Sequence, residues 1–260
     1  MGHERLGVLP KSKKWREIVC DVSRTANNEC SAGEVVRRTA KAIDGRLRRL
    51  HLDASVQDAF SFLVAVTVAA RSKDPSLVLK GAGIELSGKR ATPLSLTQSL
   101  SHYTRSEGAS LEYTQLARSA ASKALAEFYR QESRQADLFS RGEDPFAVWR
   151  KASDGSGFCN LARQFFANLT AGYLEYFLDR EASAVIPTLE ARERFQRELE
   201  AHVDQVTHHS FETSKIAQSF AAGWYNKNAM TQLPSRSRTK GFLNVAINKI
   251  RDSLAREGQP

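Results

Sequence analysis

Three groups of side chains in this sequence have the types and spacing to do chemistry. Arg46 stands five residues before His51 in the run Arg46-Leu47-Arg48-Arg49-Leu50-His51, and Arg197 stands five before His202. An imidazole can take the proton of a ribose 2′-hydroxyl while a guanidinium neutralises the phosphate beside it. Cys159 follows Gly155-Ser156-Gly157-Phe158. There it should sit in the first turn of a helix, whose positive end favours a thiolate. His102, His202, His208 and His209 are the bases that a fold could bring to it. The third group only binds. Lys13, Lys14, Arg16, Arg48, Arg49, Arg236, Arg238 and Lys240 offer positive charge to a phosphate backbone. Trp15 lies inside the first cluster and could stack on a base, but its spacing from Ile18 and Val19 suits core packing better.

Other chemistries find little support. The three cysteines form no C-x-x-C pair, and no H-E-x-x-H occurs. His202 and His209 would share a helix face, but ligands three or four apart are missing, so no metal is expected. Lys80-Gly81-Ala82-Gly83 and Asp154-Gly155-Ser156-Gly157 match neither the phosphate-loop nor the dinucleotide pattern, so no cofactor is expected. Cys159 reads first as a structural thiol.

The Arg46–His51 run resembles the Arg–His motif of HEPN-type ribonucleases, a helical class in which the histidine follows the arginine by four to six residues. The resemblance covers six residues, and Leu47 stands where that class has a polar residue. It implies an all-α ribonuclease in which Arg46 and His51 act on RNA.

The elements that must position these residues are helices. Ser12 can cap a helix bearing Trp15, Ile18 and Val22, and Ser31 with Glu34 forms a capping box before Val35, Val36, Ala40 and Ile43. Residues 55–70 are apolar nearly all round, which predicts a central helix. Residues 73–92 are punctuated by Pro75, Gly81, Gly83 and Gly88, and predict a short β-hairpin or docked loop. Ser110 should cap a helix containing Leu111 to Phe128, followed by a polar stretch from Gln131 to Glu143. After Ser153–Gly157, a candidate hinge, come the most hydrophobic helix, Phe158–Arg180, and a stripe from Leu189 to Trp224 with a possible break near Ser210. A basic loop, Pro234–Lys240, opens the last amphipathic helix. The reading is all-α, with about nine or ten helices, as one domain over 1–260 or as two subdomains, 1–152 and 158–260.

Composition bounds the function. At 41% hydrophobic and 26% charged, the chain can form a core, which argues against disorder throughout. Three cysteines in 260 residues exclude a disulfide scaffold. The net charge of +9 sits at the ends: residues 1–50 hold 12 basic and 6 acidic side chains, residues 211–260 hold 8 and 3, and the middle holds 18 and 20. No export signal is evident and the longest apolar run is too short for a bilayer, so a cytoplasmic protein with no membrane partner is expected. The expected function is a non-enzymatic helical component of a larger assembly. Its basic terminal segments would touch nucleic-acid backbone or an acidic protein surface, and other subunits would be partners. The alternatives are a ribonuclease using Arg46 and His51, and a pure scaffold whose surplus of aromatics, such as Phe165, Tyr176 and Trp224, forms an interface.

Overall fold

The computed structural model describes residues 12–86, 88, 90–104, 111–134, 144–212 and 220–256. Twelve α-helices occupy most of them: α1 (Lys13–Thr25), α2 (Ala32–Ala42), α3 (Asp44–Leu47), α4 (Ala54–Arg71), α5 (Pro75–Gly81), α6 (Pro93–Tyr103), α7 (Leu111–Arg134), α8 (Ala147–Arg150), α9 (Gly155–Val185), α10 (Leu189–Glu212), α11 (Phe220–Asn228) and α12 (Arg236–Arg256). A 3₁₀ turn, Leu50–Leu52, links α3 to α4. The all-α class therefore holds, with more helices than the nine or ten expected.

The expected hairpin is corrected. Among the described residues there is no strand; Leu77–Leu79 belongs to α5. Asp74 accepts from the Leu77 amide at 3.0 Å, and Pro75 occupies a position where no amide donor is needed. The β-branched and apolar residues that suggested a strand instead dock Leu79 and Ile84 into the core. Gly83 takes positive φ (76°), which ends the helix at that point. The Ser110 cap and residues 135–143 lie outside the described residues, and so do residues 213–219; α7 runs through Gln131 to Arg134, and α10 continues unbroken past Ser210 to Glu212.

The core is centred on α4 and α9. Phe60 of α4 stacks on Phe242 of α12, 5.2 Å between ring centres. Phe158 of α9 stacks on Tyr225 of α11 at 4.4 Å. α9 packs along α7 and α10, and Gly172 allows the close α7 crossing, with Leu116 Cδ1 2.8 Å from where a Cβ would stand. Phe165, Phe166, Tyr173, Phe177 and Tyr225 are buried, while Tyr176, Phe220 and Trp224 pack against the same cluster. The aromatics that looked surplus in the sequence are core: a 31-residue helix surrounded by neighbours needs apolar side chains on every face. No single helix among the described residues is long and apolar enough to cross a membrane.

Candidate functional site

Both basic termini are helix starts. Ser12 caps α1 by accepting from the Trp15 amide at 3.2 Å. Trp15 is buried; its indole N–H donates to Glu181 at 2.8 Å and its ring meets the edge of Phe177. It anchors α1 on α9 and is not open to stack on a base. That anchoring turns Lys13, Lys14 and Arg16 outward, and all three are exposed. At the other end, Thr239 and Arg238 amides donate to Ser235, to its carbonyl at 3.0 Å and its hydroxyl at 3.4 Å. Phe242, Leu243, Ala246, Ile247, Ile250 and Leu254 bury one stripe of α12, which leaves Arg236, Arg238 and Lys240 exposed.

Both starts put basic residues in the first turn, Lys13, Lys14 and Arg16 in α1 and Arg236 and Arg238 in α12, with no acidic residue beside them, whereas α2, α3, α7 and α10 carry Glu34, Asp44, Glu112 and Glu190 there. A cation near a helix N-terminus opposes the macrodipole by about 0.3–1 kcal/mol.

α3 lies between the ring that anchors α1 and the later turns of α12, about 22 Å along that helix from Arg236. The Arg46 guanidinium lies 5.4 Å from the centre of the Phe177 ring, the same ring that Trp15 of α1 meets. Arg48 reaches Asp44 at 4.0 Å, and Asp44 also pairs with Arg251 of α12 at 3.2 Å. α12 then runs beside the 3₁₀ turn to Arg236, which pairs with Asp58 of α4 at 3.2 Å. Arg48 and Arg49 therefore lie beside α12, and both are exposed. Among the described residues, Lys13, Lys14, Arg16, Arg49, Arg238 and Lys240 have no ion-pair partner. Arg37 and Arg38 differ: they pair with Glu34, and with Glu17 and Asp21.

The Arg–His pairs sit in contrasting settings. His51 Nδ1 lies 2.8 Å from the Arg48 carbonyl, which can only accept, so the nitrogen donates and in the neutral ring Nε2 is left as the acceptor. Arg46 is held over Phe177. His202 packs between helices: a Cβ on Gly33 of α2 would come within 2.9 Å of its ring. Arg197 stands exposed beside Glu193 at 3.8 Å.

Cys159 and His208 do come to one place. They line a cleft of about 680 Å³ at the start of α9, with Asp154, Asn160, Arg163 and Asn226. Asp154 caps the helix by accepting from the Gly157 amide at 2.7 Å, and Arg163 is paired with Asp204 at 2.7 Å. The positive helix end is thus already answered by a carboxylate. Among the described residues no group of three or more histidine, cysteine or acidic side chains could hold a metal ion.

One cluster escaped the sequence reading. Glu175 of α9 is half-buried against α10, near Glu200, Lys123 and Asp179. Burial first, and then the Glu200 carboxylate, push its carboxyl up to about 7. Burial also raises Asp179. The signal was available: an acid inside the apolar run Leu174–Leu178.

Comparison with known proteins finds no matching family model, no similar curated protein and no similar solved structure.

Proposed function

We propose that this chain binds the phosphate backbone of nucleic acid, without sequence preference, as a non-enzymatic component of a larger assembly. One observation carries the reading: six of the eight candidate cations have no ion-pair partner among the described residues, and five of those six stand in the opening turns of α1 and α12. Stability alone does not favour them there. A polyanion would offset the cost and use the same dipole.

Titration of the protein into labelled single-stranded RNA and duplex DNA at several salt concentrations tests it. If all six cations meet phosphates, the slope of log K against log salt should be about −4 on a single strand. Reversing Arg238 and Lys240 together should flatten it by about 1.4. Absence of binding at low salt would sink the proposal and favour a protein partner. The ribonuclease reading draws on one contact, the Arg48 carbonyl that leaves His51 Nε2 able to accept a proton. Cleaved RNA on a denaturing gel, lost in His51→Ala, would promote it.

A further inference from the structure

A cavity of about 240 Å³ opens beside the start of α12. Asp58 and Ser61 of α4, Tyr103 of α6 and Thr239 of α12 are polar residues of its lining, Asp58 being paired with Arg236; Val64, Leu233 and Pro234 contribute apolar surface. Arg236 lines it too, with Arg238 and Lys240 following on the same helix. Among the described residues none of the three hydroxyls has a hydrogen-bond partner. Ser61 and Tyr103 are half-buried, and Thr239 is only 1% exposed. Of the other buried threonines, Thr25, Thr67 and Thr104 each donate to a carbonyl at 2.7–2.8 Å, while Thr39 and Thr207 also lack a partner among the described residues. Burial, and then Asp58, push the Tyr103 phenol up, so its hydroxyl stays protonated and able to donate.

We infer that this cavity takes one unstacked nucleobase, so that the strand held by the basic face is single-stranded. The inference rests on the backbone-binding reading above. The volume lies below the roughly 300–1,000 Å³ of sites that enclose a drug-sized ligand, and suits a fragment such as one planar ring. Apolar walls accept the faces of a base. Hydroxyls donate or accept as needed, so they can meet the edge of any base without selecting a sequence. The cations at the helix start stand where the attached phosphates would lie. A duplex cannot fill the cavity without unpairing and flipping a base, which costs a few kcal/mol.

The test compares four probes by fluorescence anisotropy at low salt, with the full chain: a single-stranded oligonucleotide, the same strand carrying abasic sites, the duplex of equal length, and a nucleoside monophosphate as competitor. The intact strand should bind about tenfold more tightly than the abasic strand. Tyr103→Phe and Thr239→Val remove hydroxyls at nearly constant volume. They should erase most of that preference, leave duplex binding unchanged and keep the melting temperature within a few degrees. Equal binding of intact and abasic strands, or of strand and duplex, would overturn the inference and leave backbone binding standing. Competition by the monophosphate as strong as by the strand would also overturn it, assigning the cavity to a free nucleotide. If no probe binds at low salt, both readings fall.

Discussion

The starts of α9 and α12 each border a cavity, and they are built in opposite ways. At α9 a carboxylate, Asp154, answers the helix dipole and accepts the Gly157 amide at 2.7 Å. Gly155 and Gly157 let the helix press onto its surroundings, with a Cβ on Gly157 falling 1.7 Å from the Lys151 carbonyl oxygen. At α12 the cap is a serine hydroxyl at 3.4 Å, and the turns behind it carry Arg236, Arg238 and Lys240. The larger cavity, about 680 Å³, belongs to the start optimised for stability; the smaller, about 240 Å³, belongs to the start that spends stability on charge. On the reading proposed above, charge placement rather than cavity size marks the binding face. At α12 Arg236 is answered by Asp58, but Arg238 and Lys240 have no ion-pair partner among the described residues, whereas at α9 Asp154 answers the helix end.

The largest test of this contrast is Gly157→Ala. No side chain can move to relieve a clash with a backbone carbonyl, so the start of α9 must shift. The expected loss is about 3 kcal/mol or more, which at ~2–4 °C per kcal/mol lowers the melting temperature by ~6–12 °C. A melting temperature unchanged by the substitution would show that the α9 start is not tightly closed, and the contrast would weaken.

Glu175 sharpens the comparison from within α9, because it is a carboxylate that costs stability where Asp154 supplies it. Its folded value, about 7, lies above the ordinary value of 4.5. The native state therefore holds a proton that the unfolded chain releases, and stability falls as pH rises from about 4.5 to about 7. Glu175→Gln should remove much of that fall and raise the melting temperature at pH 8 but not at pH 4. Identical pH profiles for the two proteins would contradict the burial argument. Asp154→Ala comes next: loss of the cap should cost about 1 kcal/mol, read as a lower melting temperature with oligonucleotide affinity unchanged.

What was legible in the sequence follows the range of the forces involved. Caps at Ser12 and Ser31, and the apolar stripes they open, are local, and they appear where the pattern placed them, although the Glu34 carboxylate turns to Arg37 and does not complete the expected capping box. The segment 73–92 misled because glycines and short apolar runs are shared by hairpins and by a short capped helix; Asp74 at the N-cap decided it. The eight candidate cations were legible as charges. Their state was not, because Arg37 and Arg38 look the same in sequence and are neutralised by Glu17, Asp21 and Glu34. Nor could spacing show that Phe177 and Asp44 tie α3 to α1 and α12, or that Ser61, Tyr103 and Thr239 share a cavity. Those depend on contacts between residues up to about two hundred positions apart.

The smallest expected effect is the most discriminating. Arg238 is the third residue of α12, and its amide already donates to the Ser235 hydroxyl. Arg238→Glu would create the Ser-x-x-Glu capping box that the natural sequence lacks at this start, and would replace a cation opposing the dipole with an anion favouring it. The two effects should add about 0.5–1.5 kcal/mol of stability, or a rise of ~1–6 °C in melting temperature. Oligonucleotide affinity should fall about tenfold at low salt, and the salt slope should flatten by about 1. Arg238→Ala separates the contributions: it removes the opposing charge without building the box, so its stability gain should be smaller and its binding loss intermediate. A more stable protein that binds less well is the signature of a residue kept for binding. A less stable Arg238→Glu variant would mean that Arg238 makes a contribution to the fold, and the α12 start would then resemble the α9 start after all.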